Sequence, residues 1–250
     1  MTCLRPRINF SPAFRPGKPL LTTDFILLLP VLVFSLVAHE YAHGYTAWRQ
    51  GDDTAYMLGR LTFNPIPHID PWMSILLPAM LFFFAGPGFI FGGAKPIPVT
   101  TRKFRNFKRG DLIVSSAGVV TNLFLSLVFA LLFALIGLLG RALPDTVSAL
   151  DVLQRMMVWG IQINLVLCFF NLIPIPPLDG SRILYHFLPP RAGLQLRSMD
   201  RYGILILLAL LYFARPLFSL LLTPAFVALN FLVTLVQPFA VGDGWNIFAR

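Results

Sequence analysis

The sequence predicts an all-α polytopic membrane protein. Of its 250 residues, 56% are hydrophobic and only 12% are charged, and the mean hydropathy is +0.73. A soluble domain of this length carries about 25% charged residues. Several apolar runs also reach the roughly 20 residues that a helix needs to cross the hydrocarbon core of a bilayer. Together these observations set aside a soluble globular domain and predict a protein that lies within lipid.

Five or six segments are expected to enter the membrane. They are residues 25–48, 72–90, 112–140, 152–172, 204–222 and 225–236, the last two separated by Pro224. The second segment contains Pro78 and the run Ala85-Gly86-Pro87-Gly88, which interrupt a straight helix. We expect three regions: an N-terminal basic segment (1–23), a membrane-embedded core (24–190) and C-terminal transmembrane helices (191–250).

The net charge of +9 raises the question of nucleic-acid binding. The basic residues do not form a groove-like pattern with interleaved aromatic residues, but cluster in short segments between apolar runs, mainly 95–109 and 182–201. Lys and Arg beside membrane spans fix topology and contact anionic headgroups. We therefore expect the lipid bilayer as a partner and no nucleic acid. The two cysteines, Cys3 and Cys168, form neither a disulfide framework nor a CxxC zinc spacing.

The first apolar segment carries the chemically informative run Ala38-His39-Glu40-Tyr41-Ala42-His43-Gly44. In a helix, positions i and i+4 share one face, so His39 and His43 can bind one metal ion. Glu40, the only glutamate of the chain, can then take a proton from a water on that metal. The alternative is that these side chains only hydrogen-bond neighbouring helices. Ionisable groups inside a membrane span are costly, however, and usually functional.

A catalytic zinc takes three protein ligands, so a third His, Asp or Glu is needed. The best candidate is Asp179, which ends the run Asn171-Leu-Ile-Pro-Ile-Pro-Pro-Leu-Asp179 and precedes Gly180. Its prolines disrupt helical hydrogen bonding, and Gly180 permits a tight turn. Irregular backbone at membrane depth is tolerated only where protein or water covers it. The alternative for Asp179 is an ordinary helix-end aspartate at the membrane interface.

The two motifs together, HExxH on a membrane helix and Asn-x-x-Pro-x-x-Pro-Leu-Asp-Gly far downstream, resemble the site-2 protease family of intramembrane zinc metalloproteases. Residues 64–70, 93–99 and 117–122 resemble blocks of its compact bacterial branch, which lacks a PDZ domain. The resemblance covers about residues 25 to 190. It implies an intramembrane zinc metalloprotease that hydrolyses peptide bonds of single-span membrane proteins.

The resemblance also implies roles for individual residues. His39, His43 and Asp179 become the ligands of one Zn²⁺ per chain, and Glu40 becomes the catalytic base. Asn122 is expected to contact the substrate or the developing oxyanion, although Val119 stands where the family usually has a proline. A non-proteolytic membrane metal carrier or scaffold is the competing interpretation, and it would have little use for Glu40. A pseudoprotease is a third, but such proteins usually lose a ligand or the base.

The depth and direction of the helices give further expectations. His39 lies about 13 Å from the end of its helix near Trp48, and Asn122 about 15 Å from the helix start at Leu112, so they should lie at one depth. His39 and Asp179 both lie near the C-terminal ends of their helices, which should therefore run in the same direction. This requires residues 72–90 to form a re-entrant or broken element. Residues 92–99 should then form an extended loop near the site, able to pair with an unwound substrate.

The distribution of charge predicts an orientation. Twelve basic residues follow the ends that carry the site: Arg49, Arg60, Lys95, Arg102, Lys103, Arg105, Lys108, Arg109, Arg182, Arg191, Arg197 and Arg201. The positive-inside rule places this side in the cytoplasm, so a multi-pass protein of the cell membrane should open its active site there. The four basic residues of segment 1–23 conflict with this orientation, because they would then face outward. His68 is expected either to assist the site or to stabilise a turn, and His186 to be structural.

Overall fold

The computed structural model describes residues 23–70, 72, 76 and 93–241. Within these ranges the regular elements are helices and no strand is assigned, which confirms the all-α prediction. The helices are α1 (Thr23–Gln50), α2 (Thr54–Met57), α3 (Phe107–Ala142), α4 (Val147–Asn171), α5 (Asp179–Tyr185), α6 (Pro190–Ser198), α7 (Gly203–Phe213) and α8 (Arg215–Val236). Short 3₁₀ turns cover Ile66–His68, Thr101–Lys103, Pro144–Thr146, Asp200–Tyr202 and Gln237–Phe239.

Four helices in the described ranges are long and apolar enough to cross a membrane. They span Ile26–Gln50, Phe107–Ala142, Pro144–Asn171 and Pro216–Phe239. The protein is therefore a multi-pass membrane protein. The expected re-entrant element at 72–90 lies outside the described residues apart from Trp72 and Leu76, and so does nearly all of the expected basic segment 1–23.

The C-terminal helices differ from the expectation. The chain breaks at Ala214, whose φ is −122° and ψ is 43°, whereas Pro224 lies inside α8. Pro216 occupies the first turn of α8, where a missing N–H costs no hydrogen bond, so a proline favours a helix start there. The 11 residues of α7 extend about 16 Å, too short for a hydrocarbon core of about 30 Å. The prediction of two spans split at Pro224 was wrong for this reason.

The core lies where α1, α3, α4 and α8 pack together. Its buried members come from all four helices: Val31, Phe129, Phe133, Ile161, Leu165, Leu229 and Val233. At Gly160 of α4, a Cβ atom would overlap the Phe129 ring, so this glycine permits the close approach of α3 and α4. Apolar side chains on the opposite face of α3, such as Phe124 and Leu131, are exposed and suit contact with lipid.

Backbone contacts fix the relative direction of the helices. The N–H of Arg105 donates to the carbonyl of Gln50 at 3.0 Å, so the end of α1 and the start of α3 lie on one side. The N–H of Lys95 donates to the carbonyl of His68 at 2.7 Å, which brings the two chain segments that flank 72–90 together. Helix α3 therefore runs antiparallel to α1. Helix α4 runs parallel to α1, as the sequence predicts.

Candidate metal centre

His39 and His43 lie one turn apart on α1 and turn their rings toward the same point. Their Nε2 atoms are 3.0 Å apart, and both residues are buried, with exposures of 6% and 8%. This arrangement follows from the i, i+4 spacing in an uninterrupted helix. The two nitrogens therefore present lone pairs from one helix face to a common position.

Asp179 completes this group from the opposite direction. It is the first residue of α5, and its Oδ2 atom lies 3.3 Å from Nε2 of His39 and 3.1 Å from Nε2 of His43. A tetrahedral zinc with ligand bonds of about 2.0–2.1 Å holds its ligand atoms roughly 3.3 Å apart. Oδ2 is also buried without a hydrogen-bond partner among the described residues, so it offers its lone pair to a cation. The three ligand atoms thus fit a metal ion, and we call His39, His43 and Asp179 the metal centre.

The loop that precedes Asp179 owes its shape to its glycine and prolines. A Cβ atom at Gly180 would overlap the carbonyl group of Leu172, so the loop can fold back against the end of α4 only with glycine there. Ile173 and Leu178 are buried in a small apolar cluster with Leu207 of α7. This packing holds the irregular segment against α7 and so positions Asp179 beside α1.

The outer nitrogen of each imidazole is also bound. Nδ1 of His43 lies 2.7 Å from the carbonyl of Val114, and Nδ1 of His39 lies 2.5 Å from Oδ1 of Asn122, both on α3. The amide Nδ2 of Asn122 donates to Asn164 at 2.8 Å. These bonds engage both polar atoms of the Asn122 side chain. They favour a role in orienting His39 over the expected contact with an oxyanion.

Gly118 of α3 faces the metal centre, and no role was expected for this residue. A Cβ atom there would lie 2.5 Å from Nε2 of His43 and 2.6 Å from Nε2 of His39. The absence of a side chain therefore makes room for both rings. Its position four residues before Asn122, on the same helix face, was the signal that could have revealed it.

Glu40 lies beside the metal centre and contacts a segment without regular secondary structure, residues 93–100, which we call the strap. The N–H of Ile97 donates to Oε2 of Glu40 at 2.8 Å. Ile97 is buried, and a Cβ atom on Gly44 would overlap its Cδ1 atom, so the Ile97 side chain fits against α1 where a glycine leaves space. The loop expected at residues 92–99 was predicted to lie near the site. The strap covers residues 93–99 of that loop and does lie near the site, whereas residue 92 is not among the described residues.

The strap is held at both ends by residues outside it. Near its start, Arg60 donates to the carbonyl of Lys95 at 3.1 Å, and at its end the N–H of Thr100 donates to Oδ2 of the buried Asp52 at 2.6 Å. Just beyond it, the Lys103 ammonium binds the Asp53 carboxylate and holds the pKa of that carboxyl below its usual range. These contacts fix the strap across the end of α1.

The two remaining histidines stabilise structure around the site. Nε2 of His68 lies 3.0 Å from the carbonyl of Thr62, which fits the expected turn-stabilising role. Nε2 of His186 lies 2.7 Å from Oδ2 of the buried Asp111, which also accepts from Arg197 at 3.0 Å. These bonds link the segment after α5 to the start of α3, consistent with the structural role expected of His186.

The model of peptidase family M50 matches residues 27–214, which includes every residue of the metal centre. The chain belongs to peptidase family M50. "Putative zinc metalloprotease YwhC" of Bacillus subtilis (strain 168) is 42% identical to it over 202 residues, which cover 79% of this chain and 86% of the relative. "Putative zinc metalloprotease Rip2" of Mycolicibacterium smegmatis is 34% identical over 187 residues, which cover 75% and 67%. The Mycobacterium tuberculosis (strain H37Rv) Rip2 is 33% identical over 186 residues, covering 74% and 66%.

No solved structure matches the chain. Membership of family M50 confirms the resemblance to site-2 proteases, and this M50 peptidase is a zinc metalloprotease. A His-His-Asp donor set with one carboxylate beside it also suits hydrolytic zinc chemistry.

Proposed function

We propose that this zinc metalloprotease hydrolyses peptide bonds of membrane-spanning proteins within the bilayer, with Glu40 as the general base. The observation that carries the proposal is the position of the metal centre. His39 lies eleven residues before the end of α1 at Gln50, or about 16 Å along a helix that is apolar enough to span. A zinc ligand at this depth suits a substrate that also lies in the membrane.

The metal ligands in this proposal are His39, His43 and Asp179. Zinc held by them would supply a Lewis acid that lowers the pKa of a water molecule and polarises the scissile carbonyl. Glu40 accepts the proton of the attacking water and passes it to the leaving amine. The Ile97 N–H holds one oxygen of the Glu40 carboxylate, so the proton goes to the other oxygen. Asn122 supports this chemistry by orienting His39.

The backbone donors and acceptors of the strap favour a substrate in an extended conformation. Pro96 and Pro98 have no N–H, and the N–H of Ile97 between them is bound to Glu40. In a strap that pairs as an extended strand, successive residues would point to opposite edges. The edge formed by the two prolines would then offer only carbonyl acceptors, and that of Pro96 also accepts from Arg60 at 3.5 Å. A peptide that pairs there has to supply N–H donors, which a helix provides only after it unwinds. We therefore expect substrates whose spans contain helix-destabilising residues near the cut.

The charge distribution supports a cytoplasmic opening of the site in the cell membrane. The connections at the metal-centre end of α1, α3 and α4 carry the twelve basic residues named above, and contacts such as Gln50 with Arg105 join these connections. The opposite connection, around Pro144–Thr146, follows Arg141 and contains Asp145. By the positive-inside rule the first end faces the cytoplasm.

The Glu40→Gln variant tests the proposal. It keeps the metal ligands and the shape of the side chain but removes the base. We expect purified Glu40→Gln protein to bind zinc normally and to lose cleavage of a single-span substrate. Cells carrying the variant should accumulate full-length membrane proteins that wild-type cells cut, which comparative membrane proteomics would identify.

The alternative function is a metal carrier or scaffold without hydrolysis. Under that hypothesis the Glu40→Gln protein would behave like the wild type in zinc uptake by reconstituted vesicles, and the membrane proteomes of the two strains would agree. Retained cleavage by Glu40→Gln protein would reject the assigned base.

A further inference from the structure

A chain of buried polar side chains connects α1, α3 and α4 behind the metal centre. Ser35, Asn122 and Asn164 each have 0% exposure, and we call these three residues the asparagine relay. Asn122 Nδ2 donates to Asn164 Oδ1 at 2.8 Å, and Asn164 Nδ2 donates to Ser35 Oγ at 2.8 Å. The relay ends on His39, whose Nδ1 lies 2.5 Å from Asn122 Oδ1. No role was expected for Ser35 or Asn164.

Two backbone carbonyls set the direction of every hydrogen bond in the relay. The Gly160 carbonyl lies 2.9 Å from an amide terminus of Asn164 and can only accept, so that terminus must be the NH₂ group. The Ser35 hydroxyl donates to the Val31 carbonyl at 2.7 Å, so its oxygen is left to accept from the same NH₂ group. The other terminus of Asn164 is therefore its Oδ1 atom.

The orientation of the Asn164 amide determines that of Asn122, which in turn determines where the proton of His39 lies. Because Asn164 presents Oδ1, Asn122 must present its NH₂ group to Asn164 and its own Oδ1 to His39. An amide oxygen can only accept, so the proton of a neutral His39 ring lies on Nδ1. Its Nε2 atom then keeps a lone pair, directed at the position that Asp179 Oδ2 also faces.

We propose that Asn164 is a positioning residue, which acts through Asn122 to fix the tautomer and ring orientation of His39 for metal binding. The proposal rests on the role of His39 as a zinc ligand. Groups that bind the outer nitrogen of a ligating histidine typically contribute 10- to 100-fold to metal affinity or activity. Here the group that sets the direction lies one residue further away, on α4.

The second imidazole shows why the relay matters at His39 in particular. Nδ1 of His43 lies against the backbone carbonyl of Val114, which fixes that tautomer without any side chain. His39 has a side-chain amide in the same role, and a free amide can rotate so that its NH₂ group faces the ring. Asn164 removes this freedom, because rotation of Asn122 would place its Oδ1 atom against Oδ1 of Asn164, and neither oxygen can donate.

The zinc affinity of the full-length purified protein in detergent, measured by competition with a chelating dye, tests the proposal. We expect Asn164→Ala to lower the affinity about tenfold. We expect a smaller loss for Ser35→Ala, because Asn164 keeps its bond to Gly160. The matched control is Ser126→Ala in α3: Ser126 also has 0% exposure but donates to the Leu123 carbonyl of its own helix, so the affinity should change less than about twofold.

A double-mutant cycle separates positioning from general damage to the fold. Asn122→Ala should lower zinc affinity, and adding Asn164→Ala should then lower it no further, because the residue it acts through is gone. Losses that multiply would overturn the proposal, as would an unchanged affinity of the Asn164→Ala protein. If that variant fails to fold, Asn164→Leu keeps the approximate size of the side chain, removes the acceptor that faces Asn122 and should give the same loss.

The absorption spectrum of the cobalt-substituted protein gives an independent measurement. Its ligand-field bands should shift in Asn164→Ala and not in Ser126→Ala. Neither measurement depends on proteolysis. A failure of the proposed function, seen as cleavage by Glu40→Gln protein, is therefore distinct from a failure of the relay, seen as unchanged zinc affinity and cobalt spectrum.

Discussion

Ile97 donates its backbone N–H to the carboxylate of Glu40 across 57 positions of sequence, which joins the strap directly to the residue that we assign as the base. Replacing Ile97 with Pro removes this donor. We expect kcat to fall roughly ten- to a hundredfold, because the carboxylate loses its orientation, while zinc content stays the same. Cleavage of a single-span substrate and metal analysis of the purified protein give the two readouts.

Two variants at the same position separate the hydrogen bond from packing. Ile97→Val and Ile97→Ala both keep the N–H, and Ile97→Ala also loses the side-chain contact with Gly44. Both should retain most of the activity. A rise in activity of the Ile97→Pro protein would contradict the orienting role and indicate that the bond restrains Glu40.

Gly118→Ala should damage the metal centre through a single methyl group. The added Cβ atom has no space beside the two imidazoles, and overpacking of this kind costs about 1–3 kcal/mol. We expect a loss in zinc affinity of about tenfold or more, since about 1.4 kcal/mol corresponds to tenfold. Val120→Ile is the control, because it adds a methyl group at an exposed position of the same helix and should leave the affinity unchanged.

Zinc removal should destabilise the protein, because the proposed ligands lie on both α1 and α5. A ligand present at about 1,000 times its Kd stabilises a fold by about 4 kcal/mol, and each kcal/mol corresponds to about 2–4 °C in a chain of this size. A strong chelator should therefore lower Tm by about 8–16 °C, as read from thermal unfolding in detergent. The Asp179→Asn protein should have a low Tm that the chelator does not change, and a chelator effect equal to that of the wild type would argue against Asp179 as a ligand.

Single cysteines test the arrangement of the spans in a background where Cys3 and Cys168 are replaced by serine. Met57 and Phe187, both 73% exposed, follow the metal-centre ends of α1 and α4, so a membrane-impermeant thiol reagent should label both from one side. Leu143, at the end of α3, should be labelled from the opposite side. Labelling of Met57 and Phe187 from opposite sides would contradict the parallel arrangement of α1 and α4.

The sequence predicts which three side chains the structure brings together, because local patterns identify them. His39 and His43 share a helix face by spacing alone, and Asp179 lies in a run whose prolines and glycine mark an irregular loop. The parallel direction of α1 and α4 was also predicted, from His39 near the end of α1 and Asp179 near the end of its helix. The structure instead places Asp179 after the end of α4, as the first residue of α5, which leaves the parallel direction unchanged. The sequence could therefore predict which ligands meet before the packing of the helices was known.

Gly118, Ser35 and Asn164 were missed because their roles depend on which helix faces meet. A glycine in an apolar helix has many uses, and only the contact of α3 with α1 assigns Gly118 to the two rings. Asn164 did carry a signal, because an amide in the middle of a membrane span is costly and needs a partner. The break at Ala214 was missed for a different reason. The C-terminal segment contains two prolines, Pro216 and Pro224, and only packing decides which of them stands at a helix boundary.

The division of the proposed zinc ligands between α1 and the start of α5 also has a consequence for biosynthesis. The first membrane helix leaves the ribosome with both histidines and Glu40, yet the aspartate that completes the set follows only after α3 and α4 have been made. A nascent chain that ends before residue 179 therefore carries a base without a finished metal pocket. Under the proposed function, cleavage therefore requires that the first three of the assigned spans have been synthesised.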